Sequence, residues 1–283
     1  MDKVKVFYYK DVPNFGDMIN PLIFERLFHL DCVYASKYTS DIVAIGSMLD
    51  PLLIRPWGIF KRLRASLNPS LLVWGTGFIR EGGQSEVLSR DLSVYAVRGK
   101  NTFNRLRTEK KVNLMDDVVL GDPGLLLPYV VDVPKTKSYK LGIIPHYSDK
   151  DNSLFKNLSM KNTILLDVAE PPEELFRKIS ACEMIISSAM HGLIAADSLG
   201  IPNIRMIVGK NISGGDYKYN DYYSALDIDT HSKVYIRSLE ELGQVEDIID
   251  ANYSVSYSKV TEIQKKLFDS VNKVKDELLG RLN

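Results

Sequence analysis

The chain has 283 residues, 45% of them hydrophobic and 25% charged, with 36 basic side chains balancing 36 acidic ones. That length exceeds one ordinary domain and fits two of about 130–150 residues, and the balanced charge offers no global field to nucleic acid. Two distant cysteines, Cys32 and Cys182, stand without metal-ligand spacing, which argues against a disulfide framework or a metal site and for a reducing compartment. No uncharged run of about 18 residues is present to span a bilayer. Met1-Asp2-Lys3 leads into a strand rather than an apolar signal segment. The sequence therefore predicts a soluble, cytoplasmic protein.

Val4–Tyr9 is β-rich and opens the first strand. Asp11–Asp17 is a turn-rich loop, and Pro21–Leu30 reads as a helix. Ile42–Ser47, Leu71–Gly77 and Ser93–Gly99 share one design, an apolar run ending in small residues, which suits buried parallel strands feeding loops. Thr102–Leu106 reads as a helix, Asp122–Pro128 closes the first half, and Val131–Lys140 is the candidate linker. The alternation then restarts. Leu141–His146 and Asn162–Asp167 read as strands, and Pro171–Ser180 as a helix with Pro172 tolerated in its first turn. Met184–Ser187 is a strand feeding a helix after His191, and Pro202–Ile207 is another strand. Leu239–Asn252 and Val255–Leu282 read as terminal helices, the last with Ile263, Leu267, Val271, Val274 and Leu278 at helical spacing. This pattern predicts an α/β protein with two Rossmann-like domains facing across a cleft, over residues 1–133 and 138–250. A C-terminal helix, 251–283, is placed to cross back.

In parallel sheets the loops after the strands converge on one edge, where open α/β folds bind ligands. These loops are Asn14-Phe15-Gly16-Asp17, Gly46-Ser47, Gly75-Thr76-Gly77, Arg98-Gly99, Pro145-His146 and Ser187-Ser188. Their glycines admit a close backbone approach, or simply a tight turn. His191 sits at a strand-to-helix junction, where first-turn amides and the helix dipole favour an anion; it could equally cap the helix or bond a carbonyl. Arg98 could fork onto a carboxylate or phosphate, or pair with Asp116 or Asp117. Asp17 could face the cleft or cap the following helix. Arg205, Lys210 and Lys218 flank a polar, tyrosine-rich stretch, 209–223, that suits either a loop closing over an anionic or sugar ligand or an exposed connection. Gly75-x-Gly77 lacks a third glycine at Arg80 and no Walker A pattern occurs, which disfavours NAD and ATP. Residues 52–64, basic and apolar around Trp57, fit a peripheral membrane contact or a solvated helix.

Asn14-Phe15-Gly16-Asp17, Trp74-Gly75-Thr76-Gly77, Val97-Arg98-Gly99, Gly121-Asp122-Pro123 and above all Ser188-Ala189-Met190-His191-Gly192, with Ala196-Asp197 and Ile201-Pro202, resemble the polysaccharide pyruvyl transferase family, in order over residues 5–225. The resemblance implies a GT-B-like fold and transfer from phosphoenolpyruvate, a co-substrate rather than a cofactor. The product would be a pyruvate ketal on two hydroxyls of a sugar in surface polysaccharide synthesis, the acceptor free or lipid-linked. On this reading His191 is the general acid or phosphate-side donor, and Asp17 orients or deprotonates an acceptor hydroxyl. Arg98, Ser188, Gly192, Lys218, Arg205 and Lys210 belong to the donor. Asn14, Gly16, Gly75, Gly77 and His146 belong to the acceptor or the cleft. No metal and no nucleic acid are implied. Many relatives carry Arg-Leu-His where this chain has Ala189-Met190-His191, so the second donor cation falls to Arg98, Arg205, Lys210 or Lys218. A sugar-nucleotide glycosyltransferase on the same scaffold, with Asp197 or Asp216 on a ribose, is the alternative, as is a sugar-binding relative without catalysis.

Overall fold

The computed structural model describes residues 1–54, 69–82, 86–109, 111–156, 158–208 and 215–281. The first sheet contains β1 (Lys3–Val6), β2 (Asp31–Tyr34), β3 (Ile42–Val43), β4 (Leu71–Trp74), β5 (Leu92–Val97) and β6 (Val112–Leu120). Its order is β2-β1-β3-β4-β5-β6, every pairing parallel. Every residue of β4 and β5 is buried, as a strand covered on both faces by helices requires. The second sheet contains β7 (Tyr139–Ile144), β8 (Thr163–Leu165), β9 (Cys182–Ser187), β10 (Asn203–Ile207) and β11 (Lys233–Tyr235), ordered β8-β7-β9-β10-β11 and again parallel. The architecture is α/β with two parallel sheets, as the sequence predicts. One apolar core joins them, including Phe15 and Trp74 from the first half and Leu193 and Leu267 from the second.

Two helices differ from expectation in ways that shape the site. The first runs Phe15–Arg26, six residues ahead of Pro21. Proline inside a helix leaves the carbonyl four residues earlier without its donor. Here Asn20 Nδ2 donates to that carbonyl, Asp17 O, at 3.0 Å, and Asn20 Oδ1 accepts the Ile45 amide at 3.0 Å. One side chain thus repairs the helix and pins it to the loop after β3. The second is Tyr217–Ala225, read from sequence as part of a polar loop. Tyr219 and Tyr222 are buried with their hydroxyls partnered: Tyr219 donates to Ser188 O at 2.8 Å and Tyr222 to Asp197 at 2.9 Å.

The last helix, Tyr257–Gly280, buries Val260, Ile263, Leu267, Val271, Val274 and Leu278 along one face. It lies across both halves. Gln264 Nε2 donates to Leu125 O at 2.8 Å and Ser198 O at 3.1 Å, while Ser270 Oγ accepts Trp74 Nε1 at 2.8 Å. Among the described residues no helix is long and apolar enough to cross a membrane. Residues 55–64 of the basic segment lie outside the described residues; Leu53–Ile54 pairs antiparallel with Val87–Leu88.

Candidate active site

The carboxyl ends of the two sheets face a cleft of about 460 Å³, with Tyr9, Asn14, Asp17 and Ser47 on one wall and His146, Tyr147, His191 and Lys218 on the other. A larger hollow of about 570 Å³ lies between β6 and the last helix. Its lysines are already paired there: Lys100 with Asp227, Lys259 with Asp227 and Glu262, Lys266 with Glu262, and Lys273 with Asp117. The cleft is the chemically open site.

His191 is the second residue of the helix Met190–Ser198, whose N-cap residue, Ala189, is extended and has no side chain to cap it. The helix start lines the cleft, so its dipole and first amides favour an anion there. Ser187 makes the turn: its Oγ accepts the Ala189 amide at 3.0 Å and lies 3.0 Å from Ile144 O. The imidazole lies flat against the first helix. A Cβ on Gly16 would stand 2.1 Å from His191 Nδ1, so only glycine lets the ring into this position. On its other edge Nε2 is 3.6 Å from Asp122 Oδ2, and neither atom has a hydrogen-bond partner among the described residues. Asp122 is fully buried, and its Oδ1 accepts the Gly124 amide at 2.8 Å. The carboxylate is therefore fixed, and it faces the imidazole without a hydrogen bond to it.

Asp17 faces His191 from the first helix. Asn14 Nδ2 donates to it at 2.8 Å, and the Tyr9 backbone amide adds a second bond. Burial raises its pKa, against those bonds and the charges of His191 and Lys218. Lys218 is 9% exposed, and among the described residues its ammonium has no hydrogen bond or ion pair. Burial first, then the cationic Arg98 and Arg205, lowers its pKa to about 8, with Asp17 opposing. His146 Nδ1 lies 2.7 Å from Ser148 Oγ, and burial and then Lys218 lower its pKa to about 4, so it is neutral at pH 7.

Among the described residues, the remaining sequence candidates do not present groups to the cleft. Arg98 is wholly buried: Nε bonds Asp221 Oδ2 at 3.0 Å, Nη1 bonds Ser47 Oγ at 3.0 Å, and Nη2 bonds Phe78 O and pairs with Asp221. It binds neither Asp116 nor Asp117, and its guanidinium is used up as a brace to the Lys218 helix rather than a grip on a ligand. Arg205 is likewise occupied by Asp216 at 2.6 Å, His231 at 3.0 Å and the Tyr219 ring at 3.6 Å. Ser188 Oγ donates to Asp149 at 2.7 Å and accepts the His146 amide at 2.8 Å, so it builds the His146 loop. Gly75, at φ +93°, packs against Pro123; Gly77 packs on Arg98 and Gly192 on Ser187, so all three serve packing rather than ligand approach. Lys210 lies outside the described residues. Asp197, imagined on a ribose, is buried and takes bonds from Asn203, Tyr222 and Tyr253, while Asp216 is held by Arg205 and Lys233.

Sequence reasoning did not assign Asp122, Tyr9 or Tyr147 to the site, and it gave Ser47 only as part of a loop at the sheet edge. Asp122 had a local signal, since Asp-Pro-Gly turns place the carboxylate on the amide two residues on. The others stand just after strands and are distinguished only by where the sheets bring them.

The family model for polysaccharide pyruvyl transferase matches residues 4–210. The uncharacterized protein L143 of Acanthamoeba polyphaga mimivirus is 28% identical over 233 residues, 79% of this chain and 74% of its own length. The succinoglycan biosynthesis protein ExoV of Rhizobium meliloti is 23% identical over 234 residues, 80% of this chain and 66% of its own length. Among solved structures, the wall teichoic acid polymerase TagF aligns at a TM-score of 0.47 and 10% identity, covering 98% of this chain and 88% of that one.

Proposed function

The chain belongs to the polysaccharide pyruvyl transferase family, and on that premise we propose that its cleft transfers the pyruvyl unit of phosphoenolpyruvate to two hydroxyls of a saccharide, free or lipid-linked, as a ketal. The observation that carries this is the meeting, in one cleft, of a helix start without a side-chain cap bearing His191, a Lys218 with no hydrogen bond or ion pair among the described residues, and the buried Asp17. The second half holds the donor, with its phosphate at the helix start and Lys218 as the cation that Ala189 cannot supply. The first half presents the acceptor.

The chemistry follows from the balance of atoms. A proton goes to the terminal enol carbon while one sugar hydroxyl attacks C2. The second hydroxyl then replaces phosphate at the same carbon, and its proton leaves with the phosphate. His191, facing Asp122, supplies or relays protons on the donor side, and Asp17 accepts the hydroxyl proton. Incubation with phosphoenolpyruvate and a panel of glycosides tests this: phosphate release together with a mass gain of one pyruvate less one water supports it. Sugar binding without phosphate release would instead identify a non-catalytic relative, and thermal stabilisation by nucleotide sugars alone would identify a glycosyltransferase.

A further inference from the structure

The floor and the lip of the cleft are built of different materials. The floor is buried and polar, with Asp17, Lys218 and His191. The lip carries two exposed rings, Tyr9 at 50% and Tyr147 at 42% exposure, one contributed by each half of the chain. Neither ring hangs freely. Phe7 meets Tyr9 edge-on at 5.9 Å between centroids and 60° between planes, and His146 lies under Tyr147 at 4.2 Å and 38°. Each has an aromatic neighbour fixing its plane and a face left to the cleft.

A three-carbon unit bearing a carboxylate and a phosphate needs cations and amides, which the floor supplies; it has no use for two aromatic faces at the rim. A pyranose does. Its axial C–H groups form an apolar patch that lies against an aromatic ring, while its hydroxyls need directed donors and acceptors around the edge. Those groups are present. Tyr9 and Asp17 line the same wall of the cleft, so a sugar resting on Tyr9 has its hydroxyls near that base. Ser47 Oγ already accepts from Arg98, which leaves its own hydrogen to donate into the cleft. Asp11 adds an exposed carboxylate at the same wall.

We propose that Tyr9 and Tyr147 form the acceptor subsite, a pair of aromatic faces at the lip of the cleft that seats a pyranose ring with its hydroxyls toward Asp17 and Ser47. This rests on the transfer reading given above, and its test separates the two. Methyl β-D-galactopyranoside, methyl β-D-glucopyranoside and methyl β-D-mannopyranoside are offered to the wild-type protein and to Tyr9→Ala and Tyr147→Ala, and saturation-transfer NMR is read at the ring C–H protons. At least one glycoside should receive saturation from the wild type and lose it in both variants, whether or not any chemistry occurs. In the phosphate-release assay the Ala variants should raise the acceptor KM tenfold or more and leave the phosphoenolpyruvate KM unchanged, and Phe at either position should restore the value lost with Ala. Both rings are exposed, so melting temperatures should stay near wild type. Equal saturation transfer in wild type and variants, transfer from no glycoside, or equal rises in both KM values would overturn the subsite. Saturation transfer that depends on the tyrosines, without phosphate release, would sink the transfer reading alone.

Discussion

Arg98 and Asp221 form a wholly buried ion pair, Nε to Oδ2 at 3.0 Å, that joins the end of β5 in the first half to the helix carrying Lys218 in the second. Asp221 also takes the Thr102 amide at 2.8 Å and the Thr102 hydroxyl at 2.7 Å. Breaking a buried pair from one side leaves a charge without water or partner and costs about 3–5 kcal/mol. Arg98→Ala and Asp221→Ala should each lower stability by about that much in chemical denaturation. The double variant should lose clearly less than the sum, because the two changes remove one interaction. Additive losses would mean that the pair does not act as a brace.

Gly16→Ala separates the fold from the site. The first helix has no need of glycine at this position, and alanine there is intrinsically better by about 1 kcal/mol. Its methyl would nevertheless occupy the place of the His191 ring. The variant is expected to fold while losing turnover, because the ring must rotate away from Asp122. Near-normal phosphate release from Gly16→Ala would show that the ring's place is not required.

Asp122→Asn keeps the shape beside His191 and removes the charge that faces Nε2 at 3.6 Å. Positioned proton transfer contributes about 10²–10⁴-fold to rate. The variant should lose a large part of that factor in kcat with little change in the KM for phosphoenolpyruvate. His191→Ala should lose all of it. A fall confined to KM would assign the pair to binding instead.

Lys218 gives the pH dependence a definite sign. Its folded pKa is lowered from 10.5 to about 8, chiefly by burial. Between those values the native chain has released a proton that the unfolded chain still holds, so stability of the free protein rises with pH across this window. Donor affinity should run the other way, weakening as pH rises through about 8 and the cation is lost. Lys218→Ala should weaken donor binding at neutral pH and flatten that alkaline limb. An unchanged limb in the variant would place the titrating group elsewhere.

The sequence carried the alternation of strands and helices because buried parallel strands are continuous apolar runs, as at Leu71–Trp74. It also carried His191 and Asp17, because strand ends converge on one edge wherever the sheet is parallel. The first helix escaped because Pro21 reads as a helix start, and the repair by Asn20 uses a bond invisible to spacing. Arg98 was legible as a cation at a strand end, but its partner, Asp221, lies 123 positions away in a stretch that reads as loop. Lys218 stands out from Arg98 and Arg205 only once those two are seen to be taken, and Lys210 lies outside the described residues.

Gln264, bonded to a carbonyl of each half, works like a rivet through two plates. The Arg98–Asp221 pair ties the two halves at a second point, and the two ties together set the gauge of the gap between the plates. With two such ties the aperture is expected to keep a constant calibre, so that the proposed saccharide is selected by what passes rather than by what induces a jaw to shut. Replacing Gln264 with Leu should loosen that gauge, readable as faster hydrogen exchange at the Leu125 and Ser198 turns and as a broader range of accepted sugars.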